Sequence, residues 1–342
     1  MQRYLPYQRH AGPDIPTRTK IDVHHHIFPP ALSSHKASPS TEAHLGWKTP
    51  KGNLPWSPQK SLDAMDAMGV ELAVLSYPAG VPGWVKGPLW TAAKDHPTAR
   101  VADRENAGGR EDAVVDVERE RESLREKARE MNFYAKEVVE NDGERGRREG
   151  RQGRFGWFAC LPDLRDTHGT LEELAFALDT LKADGVSITS SYGDGANAVY
   201  LGDDRYDPVW EELDRREAVV FVHGYQNPSS TPHPNAFLGL PVVEVPNETF
   251  KAAASLVTSM KTRRFPRVRI ILAHMGGTVS VLAPRVAVLA RHMGSELTEE
   301  ECMEEFGKFW GDTALGSTVG MELWKGEEGK EKVLFGTDFP GG

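Results

Sequence analysis

The sequence of 342 residues is poor in cysteine and in long apolar runs. Its two cysteines, Cys160 and Cys302, lie too far apart for a metal-binding spacing, so we interpret both as buried thiols in a reducing compartment. No apolar run approaches the roughly 18 residues of a membrane span. The segment Met1–Lys20 lacks the basic start and apolar centre of a secretory signal. These absences predict a cytoplasmic protein.

Positive charge is also in deficit. The chain has 50 acidic against 41 basic residues, giving a formal net charge of −9. Nucleic acids and anionic membranes would repel such a protein, so neither is an expected partner. The hydrophobic fraction of 39% still allows a sizeable core.

Short apolar runs alternate with longer amphipathic stretches, a pattern typical of βα units around a parallel sheet. Eight runs can be counted, which is the number of strands in a closed (β/α)₈ barrel. The predicted strands are Lys20–His25, Val70–Ser76, Phe155–Leu161, Gly185–Thr189, Ala218–His223, Val268–His274, Phe309–Thr313 and Lys332–Thr337. The clearest predicted helices are Thr170–Ala183, Asp207–Glu217, Glu248–Thr262, Val279–Met293 and Glu299–Phe306.

The predicted organisation is an N-terminal tail over residues 1–19 and one barrel domain over residues 20–342. Residues 86–154 are dense in charge and are interpreted as an insertion, partly disordered. Within it Val117–Glu140 can form a helix, whereas Lys86–Val114 and Asn141–Arg151 resemble flexible insertions. No helix follows the eighth strand, so either the sequence is a fragment or another element covers that face.

Potential metal ligands stand at the ends of four predicted strands. His24 and His26 share one strand face because side chains alternate along a strand. His223, His274 and Asp338 each close another apolar run. Singly, a His-x-His pair is as often a histidine-rich loop as a metal site, and a lone histidine such as His223 is better explained as a core residue. Together they predict a metal site, because the carboxyl ends of all barrel strands meet at one rim, where active sites of this fold lie.

These motifs resemble those of the amidohydrolase superfamily. The pattern consists of His-x-His, a histidine closing the fifth strand, Ala273–Gly277 (AHMGG) and Gly336–Pro340 (GTDFP). Within the superfamily it is most similar to the non-oxidative decarboxylases of the amino-carboxymuconate-semialdehyde decarboxylase family. The stretches Leu238–Pro246, Gly311–Ala314, Gly46–Trp47 and Pro55–Trp56 resemble the 6-methylsalicylate branch of that family.

The resemblance implies roles for individual residues. The metal ligands would be His24, His26, His223 and Asp338, and His274 would be an acid or base beside them. Arg285 would hold a substrate carboxylate, which the fork of a guanidinium suits, and Phe339 would pack on an aromatic ring. A surface position for Arg285 and a core position for Phe339 are equally open at this point.

A single metal ion is expected, because the fourth strand ends at Thr189 without the lysine that bridges two ions in binuclear relatives. Three imidazoles and one carboxylate suit Zn²⁺, with Mn²⁺ as the other candidate. The implied reaction is decarboxylation of a hydroxylated aromatic acid, first 6-methylsalicylate to 3-methylphenol, by a homodimer. The alternatives are a mononuclear metal-dependent hydrolase acting on a lactone or an amide, and a truncated, inactive scaffold.

Overall fold

The computed structural model describes residues 20–30, 32–33, 42, 48–50, 52–78, 110–150, 152–193, 197–225, 234–235, 237–316, 320–321, 324 and 332–341. Its centre is an eight-stranded parallel sheet in the order β1-β2-β3-β4-β7-β8-β9-β10, with β5 and β6 forming a separate antiparallel pair. The strands are β1 (Ile21–His26), β2 (Leu72–Ser76), β3 (Phe155–Cys160), β4 (Gly185–Thr189), β5 (Ser191–Tyr192), β6 (Val199–Tyr200), β7 (Val219–His223), β8 (Arg269–Leu272), β9 (Trp310–Asp312) and β10 (Val333–Leu334). All eight predicted barrel strands are confirmed; the β5–β6 hairpin was not predicted.

The sheet closes between its first strand and the chain around its last. The N–H of Val23 donates to the carbonyl of Phe335 at 2.9 Å, and the N–H of His26 donates to the carbonyl of Phe339 at 2.7 Å. These bonds continue the parallel pairing past the end of β10. The architecture is therefore the (β/α)₈ barrel that the alternating pattern predicts, with all strand carboxyl ends on one rim.

Helices follow the strands on the outside of the barrel. They are α1 (Pro58–Met68), α2 (Arg110–Arg148), α3 (Thr167–Ala175, continued by a π-helical turn Phe176–Thr180), α4 (Asp207–Arg215), α5 (Leu240–Thr258), α6 (Lys261–Arg264), α7 (Val279–His292) and α8 (Glu299–Phe306). The predicted helices are present, but α5 begins eight residues before the predicted Glu248, because Pro241 and Pro246 masked its helical pattern. No helix within the described ranges is long and apolar enough to cross a membrane.

Helix ends follow from local chemistry. In α1, Pro58 occupies the first turn, where its missing N–H costs nothing, and the hydroxyl of Ser57 accepts a hydrogen bond from a backbone N–H of that turn. The helix stops at Gly69, whose φ of 65° suits a residue without Cβ. At the start of α8, Thr298 and Glu301 form a reciprocal capping box.

The charged segment is corrected by the structure. The helix expected at Val117–Glu140 is confirmed, but it runs from Arg110 to Arg148, so the prediction of a flexible insertion is wrong for residues 110–114 and 141–148. Its buried face carries Leu124, Ala128, Met131, Ala135 and Val138, and the last four pack into the main core. The helix is therefore the crossover that covers the barrel between β2 and β3. Residues 1–19, 79–109 and 151 lie outside the described residues.

The core has two layers. The barrel interior holds a small cluster of Val74, Phe158, Phe221, Ile271 and Ala273, and a larger cluster fills the space between strands and helices. The Phe221 ring centroid lies 5.0 Å from that of His24. The apolar cluster inside the barrel therefore lies directly below the polar side chains of the rim.

The two cysteines are free and buried, as predicted. Burial raises the pKa of the Cys160 thiol, which also bonds within the α2–β3 packing. These thiols belong to the core and not to a reactive site.

Candidate metal centre and active site

Four side chains converge at the carboxyl-end rim of the barrel. His24 and His26 come from β1, His223 is the last residue of β7, and Asp338 follows β10. One ligand atom from each lies within 4.8 Å of the others. The three histidines are buried and Asp338 is nearly so. The strand-end argument thus predicted the residues that meet here.

Each of the three imidazoles is held through Nδ1. The partner of His24 is the Asp312 carboxylate at 2.9 Å, that of His26 is the Ser76 carbonyl at 3.3 Å, and that of His223 is the Gly224 carbonyl at 2.9 Å. Carbonyl and carboxylate oxygens can only accept, so Nδ1 of each ring carries a hydrogen and Nε2 is the atom that faces the other side chains.

The three Nε2 atoms and the Asp338 carboxylate face a common centre. Nε2 of His24 lies 3.2 Å from Nε2 of His26 and 3.4 Å from Oδ1 of Asp338. Nε2 of His26 lies 3.0 Å from the same oxygen. Two lone pairs that approach this closely require a shared positive charge between them. This donor set, three imidazoles and one carboxylate, fits a divalent transition-metal ion.

The electrostatics favour a cation at the same place. Burial would lower the pKa of His24, but the carboxylates of Asp312 and Asp338 raise it to about 10, so the ring carries a positive charge at neutral pH. A metal ion bound here would replace the proton on Nε2 of His24. Burial lowers the pKa of His26 and, to a greater degree, that of His223, which keeps both rings neutral. Burial alone would raise the pKa of Asp338, yet its hydrogen bonds with His24 and His26 lower it well below its usual value. The centre therefore combines one carboxylate with nitrogen ligands.

The backbone is strained where two of the polar side chains stand. Asp338 has a φ of 59° and His274 a φ of 55°, both in the left-handed region. Such conformations persist where the surroundings fix them, and they are frequent at functional sites. The N–H of Asp338 donates to the His24 carbonyl at 2.9 Å, and its own carbonyl accepts from Gly341 at 2.7 Å.

His274 lies beside the four ligands without joining them. Its ring centroid is 4.8 Å from that of His24 and 5.1 Å from that of His223. Nδ1 donates to the Ala314 carbonyl at 3.2 Å, so Nε2 presents a lone pair. Burial lowers its pKa, which keeps the ring neutral. This is the position and the protonation state of a proton acceptor next to the cation site.

The two predicted substrate contacts lie elsewhere. Arg285 is exposed on α7, on the face opposite the buried residues Ala283 and Ala287. The Phe339 ring packs on His25, with centroids 5.0 Å apart, and joins the main core. The structure brings neither side chain to the four ligands of its own chain, and a substrate contact for either residue stays a prediction.

Two buried carboxylates were missed as functional residues. Asp312 closes β9 and binds His24, while its other oxygen accepts from the backbone N–H of His274 and of Ala314. Asp22, in β1, binds His25 and the backbone of His24. Asp312 ends an apolar run as Asp338 does, so the signal that identified Asp338 was present for Asp312 as well.

Comparisons with known proteins agree with this geometry. Residues 21–341 match the family described as Amidohydrolase. The chain is 34% identical over 333 residues to the decarboxylase macB of Penicillium terrestre, covering 94% of this chain and 84% of that protein. It is 33% identical over 330 residues to a 6-methylsalicylic acid decarboxylase of Penicillium expansum, covering 94% and 85%.

A solved dihydroxybenzoic acid decarboxylase from Polaromonas, with bound manganese and the inhibitor 2-nitroresorcinol, superposes with a TM-score of 0.67. The sequences are 20% identical, and the superposition covers 94% of this chain and 87% of that one. The likeness confirms the barrel fold. With a family match over nearly the whole sequence and relatives above 30% identity, the chain belongs to the amidohydrolase family.

Proposed function

We propose that this protein is a metal-dependent decarboxylase of a hydroxylated aromatic carboxylic acid, with 6-methylsalicylate to 3-methylphenol and CO₂ as its first candidate reaction. The observation that carries the proposal is the convergence of His24, His26, His223 and Asp338, with His274 beside them. The relatives at 33–34% identity are named decarboxylases, and one of them acts on 6-methylsalicylic acid. They favour a carboxy-lyase over the hydrolase and over the inactive scaffold.

One divalent ion would be held by the four converging side chains. Zn²⁺ is the first candidate because of the three imidazoles. Mn²⁺ is the second, since the Polaromonas neighbour contains manganese. Such an ion would orient the substrate carboxylate with its neighbouring hydroxyl and would stabilise the negative charge that develops on the ring.

The proton chemistry falls to Asp338 and His274. The lowered pKa of Asp338 means that its carboxylate is ionised at rest, so it must first receive a proton. The substrate hydroxyl supplies that proton, either directly or through the lone pair on Nε2 of His274. Asp338 then protonates the ring carbon that bears the carboxylate. The carbon–carbon bond breaks, its electron pair restores the aromatic ring, and CO₂ leaves. The product is then 3-methylphenolate, which takes one proton from solvent to give 3-methylphenol.

The test is CO₂ release from 6-methylsalicylate and a panel of hydroxybenzoates by protein loaded with Zn²⁺ or Mn²⁺. We expect release that a chelator abolishes, with Asp338→Asn inactive and Asp63→Asn, an exposed change on α1, fully active. Retained activity in Asp338→Asn would remove the proton-donor role. A metal-loaded protein that liberates acid from a lactone but no CO₂ from any acid of the panel would favour the hydrolase.

A homodimer is part of this proposal. One face of α7 carries exposed Val281, Val288 and Leu289 with Arg285 among them, and Met293, directly after the helix, is 88% exposed. An apolar stripe of this kind is typical of a subunit contact. Sedimentation of the purified protein tests it: a dimer that becomes monomeric in Val281→Glu supports the contact, and an unchanged dimer places it elsewhere.

A further inference from the structure

His25, the histidine between His24 and His26, is not one of the four side chains that converge at the rim. His25 is fully buried and points away from its neighbours His24 and His26. Its Nδ1 lies 3.0 Å from Oδ2 of Asp22, and its Nε2 lies 2.8 Å from the hydroxyl of Ser61. The carboxylate can only accept, so Nδ1 carries the hydrogen and Nε2 accepts from Ser61. Both ring nitrogens are thus fixed in a fully buried chain of hydrogen bonds.

Asp22 is the centre of this chain. Its Oδ1 accepts from the N–H groups of His24 and Thr337, each at 3.1 Å. Its Oδ2 accepts from His25 and, at 2.6 Å, from the hydroxyl of Thr337. Four donors satisfy a carboxylate that is 0% exposed. Two of the four donors belong to Thr337, which immediately precedes Asp338. Asp22 therefore holds the backbone just before Asp338.

The backbone just after Asp338 is held by residues next to Asp22, through Phe339. The ring of Phe339 packs on that of His25, tilted by 34°. The N–H of Phe339 donates to the Thr337 hydroxyl at 3.1 Å, and its carbonyl accepts from His26. Asp338 itself has the left-handed φ of 59°, which persists only where its neighbours on both sides are fixed.

We propose that His25, acting through Asp22, Thr337 and Phe339, is the positioning residue that sets the Asp338 carboxylate against Nε2 of His24 and His26. This rests on the proposed function, in which Asp338 is both metal ligand and proton donor. His25 touches neither metal nor substrate. It supplies one of the four donors of Asp22, and its ring supports the residue on the other side of Asp338.

The two nitrogens of His25 can be separated by substitution. In His25→Asn the amide nitrogen takes the place of Nδ1 and can still donate to Asp22. In His25→Gln the amide oxygen takes the place of Nε2, which keeps an acceptor for the Ser61 hydroxyl and loses the donor to Asp22. Both variants lose the ring on Phe339, and each keeps one of the two hydrogen bonds: Asn keeps the bond to Asp22 and Gln keeps the bond to Ser61. If the bond to Asp22 positions Asp338, the Gln variant is the one that binds Zn²⁺ more weakly.

The readout is Zn²⁺ affinity, measured by competition with a chelator, on each variant alone and combined with Asp338→Ala. We expect His25→Gln to bind Zn²⁺ at least about tenfold more weakly than His25→Asn, as is usual for partners that orient metal ligands. In the Asp338→Ala background the difference should vanish, because no carboxylate remains to be positioned. Thermal unfolding of the metal-free proteins shows whether both variants fold.

Equal affinities in the two variants, or a difference that persists without Asp338, would overturn the proposal. If one variant does not fold, Thr337→Val serves in its place, since it removes the hydroxyl bonded to Asp22 and keeps the side-chain shape. A parent protein that binds Zn²⁺ but releases no CO₂ would refute the proposed function while leaving this comparison intact.

Discussion

At the scale of single residues, the three imidazoles of the centre differ in the group that accepts a hydrogen bond from Nδ1. His26 and His223 donate to backbone carbonyls, whereas His24 donates to the charged carboxylate of Asp312. A carboxylate accepts a stronger hydrogen bond and makes the ring a better donor to a metal. Asp312 also fixes the backbone of His274. One buried side chain therefore orients both His24 and the neighbouring His274.

Removing this carboxylate should weaken metal binding without unfolding the protein. We expect Asp312→Asn to lower Zn²⁺ affinity by about 10- to 100-fold, the usual cost of losing a partner that orients a ligand. A competition titration against a chelator measures it, with the exposed Asp63→Asn as control. An Asp312→Asn protein that binds Zn²⁺ as tightly as the parent would show that His24 needs no charged partner.

A substitution of His274 should lower the rate of the reaction without weakening metal binding. In His274→Asn the amide can still donate to the Ala314 carbonyl, but the lone pair at Nε2 is gone. We expect Zn²⁺ affinity close to that of the parent and a kcat lower by about 10²- to 10⁴-fold, the range for a proton-transfer group. Loss of the metal in this variant would instead make His274 a ligand.

The site shows which residues a sequence can reveal. His24, His26, His223 and Asp338 could be predicted because strand ends meet at one rim whatever the side-chain details. Asp22 and Asp312 were missed, since their roles depend on which ring nitrogen faces which oxygen. Arg285 was inferred from resemblance alone, and it lies on an exposed helix face that spacing could not distinguish from a face turned to the site.

At the scale of elements, α2 shows where composition misleads. Its charge density indicated disorder, yet a narrow apolar stripe and ion pairs such as Lys136–Glu140 stabilise a helix of 39 residues. Charges on α2 also join it to α3. Arg125 donates to both oxygens of Asp166, at 2.6 and 2.8 Å, and Asp166 caps the start of α3.

This ion pair predicts an acid-dependent contribution to stability. Burial alone would raise the pKa of Asp166, but the hydrogen bonds from Arg125 and Gly169 lower it below its ordinary value. A lowered carboxyl pKa contributes stability that is present above the ordinary value and is lost as the pH falls through the folded value. We expect Asp166→Asn to reduce the free energy of unfolding by about 1–3 kcal/mol at pH 7, with the difference fading as the pH falls below the ordinary pKa of an aspartate.

Urea unfolding at pH 7 and at pH 3 measures this difference. The matched control is Asp179→Asn, which breaks an exposed pair with Arg216 and should change stability little, because solvent screens it. A loss in Asp166→Asn that is equally large at both pH values would assign the effect to packing and not to the charge.

At the scale of the whole molecule, the cation centre lies across the seam where the barrel closes. β1 supplies His24 and His26, and the chain after β10 supplies Asp338, so a bound ion would connect the two sides of the seam. His223 adds β7 from across the barrel. Metal binding and barrel closure should therefore be coupled, as they are wherever ligands from distant segments meet only in the folded chain.

The coupling predicts a melting temperature that depends on metal. A ligand that binds only the folded state at about 1,000 times its Kd adds about 4 kcal/mol to the free energy of unfolding. For a domain of this size that should raise Tm by several degrees. His223→Asn is the matched control, because its amide can replace the Nδ1 donor to Gly224 but offers no Nε2. For His223→Asn we expect a metal-free Tm close to that of the parent and a much smaller rise in Tm with Zn²⁺. Calorimetry of both proteins over a series of Zn²⁺ concentrations measures this. An equal rise in both proteins would mean that the stabilising ion binds somewhere other than this centre.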